Sequence, residues 1–266
     1  MYSKKIEMDK FYTKSKIAEL CISKINIEEY DLIIEPSAGN GAFLNILIDN
    51  KKESTDVIGI DISPENENIL KKDWFLFNID KKYNKVLIIG NPPFGKRNKL
   101  SKKFITHSAS FDNVKTIAFI LPNVFKKHTL QKVIPKDFRI KEIIELPKNS
   151  FMIENKEYHV PCSFFIFDKS LGKCLRFDES KYTETPDWNF SNKEDYDFFI
   201  LGASPKTILK TPNKNNRGYY IKIKNNKNLN NIIKKFESIK WNGNSSVSGG
   251  VSWFTKPEIV KIYLDN

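Results

Sequence analysis

Short apolar runs bounded by turn residues alternate with amphipathic stretches along the first two thirds of the chain. A strand covered on both faces reads as an unbroken apolar run, whereas a covering helix shows one apolar stripe. The pattern therefore predicts an α/β architecture, an open, doubly wound, mostly parallel sheet. A helix is expected from about Lys14 to Ile25, with Ile17, Leu20 and Cys21 on its apolar face and Thr13 as its cap. Strands are expected at Asp31–Glu35, Asp56–Ile60, Trp74–Phe77, Lys85–Ile89, Thr116–Leu121, Ile140–Leu146 and Ser163–Phe167, making seven, with further helices at Gly41–Ile48 and Lys99–Phe111.

Beyond Lys169 the pattern changes. Asn, Lys and other polar residues dominate, and the apolar runs shorten to stretches such as Asp197–Leu201 and Tyr219–Ile223. Helices are expected near Asn228–Ile239 and from Thr255, where Thr255-Lys256-Pro257-Glu258 reads as a capping box with Pro in the first turn. The boundary near 170 divides the chain into a sheet domain (1–170) and a small basic α+β accessory region (171–266). Trp241, Trp253 and Phe254 are expected to pack the core of that region.

Composition narrows the class. Apolar residues make up 40% of the 266, enough for a substantial core, and charged residues make up 29% without long single-sign blocks. Cys21, Cys162 and Cys174 form no CxxC pair, and His107, His128 and His159 are isolated. This reads as reduced thiols and no metal site. No stretch approaches the length of a membrane span, and MYSKKIEMDKFY has no apolar signal core. A soluble intracellular protein is expected.

The formal net charge is +12, and its distribution says more than its total. Lys96, Arg97, Lys99, Lys102 and Lys103 follow Phe94 closely, with no acid between Asn91 and Phe111. Between Lys206 and Lys235 there are nine Lys or Arg residues and no Asp or Glu, with Arg217, Tyr219 and Tyr220 interleaving basic and aromatic groups. Both runs suit a polyanionic partner. The alternative for each is a solvated surface. The acids between Asp178 and Asp197 have no functional reading at this level.

Three segments fall at expected strand ends, where open α/β sheets bind ligands. Glu35-Pro36-Ser37-Ala38-Gly39-Asn40-Gly41-Ala42-Phe43 is a strand–glycine-turn–helix. Gly39 and Gly41 lack Cβ atoms and let backbone approach a ligand. No Gly-Lys-[Ser/Thr] follows, so it is not a P-loop, and the third glycine of a dinucleotide fingerprint is missing. Asp61 ends the second strand, where an acid can accept hydrogen bonds from ribose hydroxyls. Asn91-Pro92-Pro93-Phe94 follows a buried-looking strand. Two prolines fix φ and remove backbone donors. Asn91 Oδ1 and the Pro92 carbonyl could then accept the two N–H groups of an amine, while Phe94 could stack on a base.

These segments, in this order, resemble motifs I, II and IV of the amino-methyltransferases that act on adenine. Phe11-Tyr12-Thr13 before a helix resembles the amino-terminal motif X of the gamma group, and Asp73-Trp74 resembles motif III. The resemblance covers about residues 9–168. It implies a Rossmann-like class I methyltransferase fold with S-adenosylmethionine across the carboxyl edge of the sheet. Glu35, Pro36, Ala38, Gly39 and Gly41 would hold its amino-acid end. Asp61, followed by Ile62, would hold its ribose, and Asp73 and Trp74 its adenine. Phe11 and Thr13 would close over the methionine portion, with Tyr12 between them also counted among the cofactor-binding residues.

The implied reaction is methyl transfer to N6 of adenine in nucleic acid, with Asn91, Pro92, Pro93 and Phe94 at the reacting centre. DNA is favoured over RNA by the motif order. Lys96, Arg97, Lys99, Arg217, Tyr219 and Tyr220 would contact the nucleic acid. Structured or cap-adjacent RNA as substrate, a protein-glutamine methyltransferase, and a catalytically silent subunit are the alternatives. The glutamine enzymes typically carry Tyr where this chain has Phe94.

Overall fold

The computed structural model describes residues 11–154, 156–224, 227–241 and 253–266. The amino-terminal stretch read above for a signal core lies, up to residue 10, outside the described residues. The chain divides into two compact units. One runs to Phe125 and resumes over Thr129–Arg176; the other comprises Lys126–His128 and Phe177–Asn266.

The first unit is built on a seven-stranded sheet. Its strands are β2 (Leu32–Glu35), β3 (Asp56–Asp61), β4 (Ile69–Lys71), β5 (Val86–Gly90), β6 (Val114–Pro122), β7 (Arg139–Glu145) and β10 (Cys162–Asp168), in the order β4-β3-β2-β5-β6-β10-β7. From β4 to β6 all neighbours pair in parallel, whereas β10 is antiparallel to both β6 and β7. This is a Rossmann-like sheet with one reversed strand.

The unbroken apolar runs follow from burial on both faces. Leu87 and Ile89 of β5 join the core layer containing helices α1 (Ser15–Ile22) and α2 (Ala42–Asn50). Val86 and Ile88 join the opposite layer, with Phe104 and Ile105 of α3 (Lys99–Ala109). Each fully buried Ile or Leu side chain contributes about 1.5–3 kcal/mol to this packing.

A second, three-stranded sheet holds the beginning of the described chain. Strand β1 (Tyr12–Thr13) pairs with β8 (Phe151–Ile153), and β8 with β9 (Lys156–Tyr158), all antiparallel. Strands this short carry no readable alternation, so none was expected from the sequence. Thr13 is consequently a buried strand residue and not a helix cap; Lys14 holds the cap position of α1 without a side-chain bond. The helix also stops at Ile22, short of Ile25, where the Ser23 hydroxyl turns back to the Leu20 carbonyl at 2.8 Å.

One expected strand is absent. Trp74–Leu76 forms a 3-10 turn, and the sheet position is taken by β4. Asp73 drives this turn by accepting the Phe75 N–H at 2.9 Å, while the Trp74 side chain is buried in the core. No helix among the described residues is long and apolar enough to cross a membrane.

The second unit has a four-stranded antiparallel sheet. Its strands are β11 (Trp188–Ser191), β12 (Phe198–Leu201), β13 (Ser204–Leu209) and β14 (Gly218–Ile223), in the order β11-β14-β12-β13. Helices α4 (Leu229–Ser238) and α5 (Lys256–Asp265) complete it. Trp188, Phe198, Ile200, Ile221, Phe236, Ile259 and Tyr263 form its core. The capping box at Thr255 and Glu258 is present. Phe254 is buried, Trp241 stacks on Phe236 at 5.6 Å, and the Trp253 indole N–H donates to the Tyr219 hydroxyl at 3.0 Å.

Candidate active site

The strand order reverses between β2 and β5, so their carboxyl ends frame a crevice. A cavity of about 250 Å³ lies there. It is bordered by Tyr12 and Thr13 of β1, by Glu35–Gly39 after β2, by Asp61 and Ile62 after β3, by Asp73–Phe75, and by Asn91 and Pro93 after β5.

The glycine turn is held from below. The Ala38 N–H donates to the Ile60 carbonyl at 3.0 Å, and the Gly41 N–H closes back on the Ala38 carbonyl at 2.7 Å. Gly39 has φ +52°, and a Cβ there would lie 3.3 Å from the Tyr12 ring. Asp61 fastens the same turn: one carboxylate oxygen accepts the Gly39 N–H at 2.8 Å and the other the Ser63 N–H at 2.7 Å. Each oxygen keeps lone-pair capacity for a further donor. Gly41 does not border the cavity; at φ +85° it forms the left-handed entry to α2.

Glu35 is the one fully buried carboxylate among the described residues of this crevice. One of its oxygens accepts the Leu44 N–H at 2.9 Å. Burial pushes its pKa well above the ordinary carboxylate range, opposed by the Leu44 bond and assisted by Asp61. A positive charge bound beside it would oppose this effect and keep the group ionised. Gly90, at φ +148°, makes room for it, since a Cβ there would lie 3.1 Å from Glu35 Cγ.

Asn91 follows directly. Its backbone carbonyl accepts the Ser37 hydroxyl at 3.2 Å, tying the ends of β2 and β5 together. Its side-chain Nδ2 donates to the Phe11 carbonyl at 3.2 Å, which fixes the orientation of the amide. Oδ1 is buried and has no hydrogen-bond partner among the described residues. A buried acceptor left in this way costs about 1–3 kcal/mol, a cost that a ligand donor would remove.

Pro92 is buried and Pro93 borders the cavity. The Pro93 carbonyl accepts the Ser101 hydroxyl at 3.4 Å and the Phe94 carbonyl the Leu100 N–H at 3.2 Å, so the proline turn is locked to α3. Phe94 differs from the expectation of an open aromatic face. It is only 8% exposed and lies against Phe11, with ring centroids 6.1 Å apart. Phe11 in turn stacks on Tyr158 at 5.3 Å, and Tyr158 is the exposed ring of this column. Phe11, directly before β1, is what covers Phe94, a non-local contact invisible along the sequence.

At the other end, Trp74 borders the cavity but is 1% exposed, sunk among Phe77, His107 and Phe111. Burial lowers the His107 pKa, and the ring lies 2.9 Å through Nε2 from the Trp74 carbonyl. This supports a neutral imidazole donating to that carbonyl. Phe75, Leu100 and Phe104 also border the cavity, with Phe75 edge-on to Phe104 at 5.1 Å. None of these three was expected from the sequence. Leu100 and Phe104 stand four apart on α3, the only signal that they share a face. Ile62 is 64% exposed at the same end.

Lys96, Arg97 and Lys99 lie on the turn entering α3, where Arg97 and Asn98 both take left-handed φ; Arg97 and Lys99 are among its exposed residues. In the second unit Tyr219 and Tyr220 point to opposite faces of β14. Tyr219 packs in the core, its hydroxyl donating to the Phe254 carbonyl at 2.9 Å. Of these two tyrosines only Tyr220 faces away from that core.

The first unit therefore carries a Rossmann-like sheet with a reversed strand near its edge, and a glycine turn beside an Asn-Pro-Pro-Phe turn at the switch point. No family model matches the chain. Over 99% of its length it is 27% identical to the type II methyltransferase M.HincII of Haemophilus influenzae, covering 49% of that protein. It is equally similar to the type II methyltransferase M.HindII of Haemophilus influenzae, covering 47% of it. The chain thus spans about half the length of the curated relatives it matches. Among solved structures, a dimethyladenosine transferase from Plasmodium falciparum is 17% identical, with a TM-score of 0.43 over 59% of this chain and 62% of that one. S-adenosylmethionine is the cofactor these methyltransferase relatives imply.

Proposed function

We propose that this chain is the catalytic portion of an S-adenosylmethionine-dependent methyltransferase that modifies N6 of adenine in nucleic acid, with DNA the favoured substrate. The observation that carries the reading is Asn91 Oδ1, a buried acceptor without a partner among the described residues, oriented by the Phe11 carbonyl and bordering the same cavity as Glu35 and Asp61.

The residues fit the cofactor. Buried Glu35 suits its cationic amino-acid end, the Asp61 oxygens suit ribose hydroxyls, and the apolar group of Ile62, Phe75, Leu100 and Phe104 suits a purine. When bound, S-adenosylmethionine supplies an electrophilic methyl on a sulfonium. The adenine amine is a weak nucleophile because its lone pair is delocalised into the ring. Asn91 Oδ1 and the Pro92 carbonyl accept its two N–H groups, favour a pyramidal nitrogen, and stabilise the positive charge that develops there. The proline turn holds these acceptors fixed, so orientation is achieved before reaction. Lys96, Arg97 and Lys99 hold phosphates beside the flipped base.

The test is Asn91→Ala. Transfer of a labelled methyl group to DNA should fall by about 100-fold or more, the loss typical of one preorganised acceptor or donor at a reacting centre. Calorimetric titration should find cofactor affinity nearly unchanged. Near-normal turnover in the variant would contradict the assignment.

A further inference from the structure

Tyr12 and Glu65 meet over the glycine turn from two different parts of the chain. Tyr12 lies in β1, and its ring covers the α-carbon of Gly39. Glu65 lies in the loop between β3 and β4, and its backbone N–H donates to the Gly39 carbonyl at 3.0 Å. The Tyr12 hydroxyl donates to the Glu65 carboxylate. Asp61 holds the Gly39 N–H at 2.8 Å. The Gly39 residue is therefore gripped at its N–H, its carbonyl and its open face, and Tyr12, Gly39 and Asp61 all border the cavity. Burial and the Glu65 carboxylate both raise the Tyr12 pKa, so the phenol stays a donor throughout the ordinary pH range.

We propose that Tyr12 and Glu65 form a clasp over the glycine turn that retains the cofactor in the cleft and sets how fast it leaves. This rests on the cofactor assignment above. Both are positioning residues: neither is placed at the methyl-accepting centre at Asn91. The clasp joins a strand on the small sheet to a loop on the large one through a charge-assisted hydrogen bond between side chains, so it can open without either element unfolding.

The test compares wild-type protein, Tyr12→Phe, Glu65→Ala and the double variant by stopped-flow measurement of S-adenosylmethionine release. Glu65→Ala leaves the backbone bond to Gly39 in place. Each single variant is expected to release cofactor about tenfold faster, the scale of a lost hydrogen bond to a charged group, with association little changed. The double variant should be no faster than the singles, because both remove one interaction. Release rates within about twofold of wild type, or single effects that multiply in the double variant, would overturn the proposal. Amide hydrogen exchange of cofactor-free protein is the second measurement. Protection of residues 39–41 should fall in Tyr12→Phe; unchanged protection would also overturn the clasp. Failure of wild-type protein to bind S-adenosylmethionine would instead count against the cofactor assignment, leaving hydrogen exchange to decide the clasp.

Discussion

Glu35 gains little from burial in the cofactor-free protein, since one backbone N–H is its single hydrogen-bond partner among the described residues. Its raised pKa means that its contribution to stability is present below the usual carboxylate range and is lost as pH rises through the raised value. Glu35→Gln is therefore expected to stabilise the cofactor-free protein, with an advantage that grows from acidic toward alkaline pH in thermal melts. The same variant should bind S-adenosylmethionine more weakly, and the wild type should release protons on binding it; a melt difference independent of pH would contradict this. Asn91, Asp61, Gly39 and Glu35 were legible in the sequence because each stands where an apolar run ends and a turn begins. Phe75, Leu100 and Phe104 were not, because they enter the site through the orientation of a 3-10 turn and a helix face, and Glu65 reaches the glycine turn only through the path of a loop. The burial of Phe94 was equally hidden, since Phe11 reaches it only after β1 pairs with β8, which lies at Phe151–Ile153, far along the chain.

At the scale of elements, continuous apolar strands were easy to find and short ones were not. β2, β5, β6 and β10 are buried almost throughout, whereas β4 has one buried residue of three and β9 none. The expected strand at Trp74–Phe77 failed because an Asp side chain reorganised the local backbone, a competition that apolar pattern alone does not register. Gly218 gives the second unit a sharp constraint. A Cβ at this position would fall 1.9 Å from the Ile200 carbonyl across the β12–β14 pair. Gly218→Ala should break that pairing and lower the stability of the second unit by several kcal/mol, on the scale of the severest single substitutions. Urea unfolding followed by tryptophan fluorescence should detect this as an earlier transition, and a midpoint equal to wild type would contradict it.

At the scale of the whole molecule the charge of +12 is not evenly available. The acids between Asp178 and Asp197, which had no reading in the sequence, neutralise part of the second basic run. Lys222 pairs with Asp195 at 2.6 Å and Asp197 at 3.5 Å, Lys224 with Glu184 at 3.4 Å, and Lys227 with Asp187 at 3.4 Å. Lys206, Lys210, Lys214 and Arg217 stand outside these ion pairs. Neutralising these four should flatten the salt dependence of DNA binding by about 0.9 in slope for each phosphate that is no longer neutralised. Replacing Lys222, Lys224 and Lys227 should alter it far less, and equal effects would remove this distinction. The central claim is chemical, that an adenine amine is the acceptor. Its most direct test is to incubate the protein with methyl-labelled S-adenosylmethionine and separate pools of DNA and RNA, digest them to nucleosides, and analyse these by mass spectrometry. The label should be found in N6-methyladenine nucleosides, more in DNA than in RNA. Label confined to cytosine or to protein, with adenine unmodified in both pools, would contradict the account.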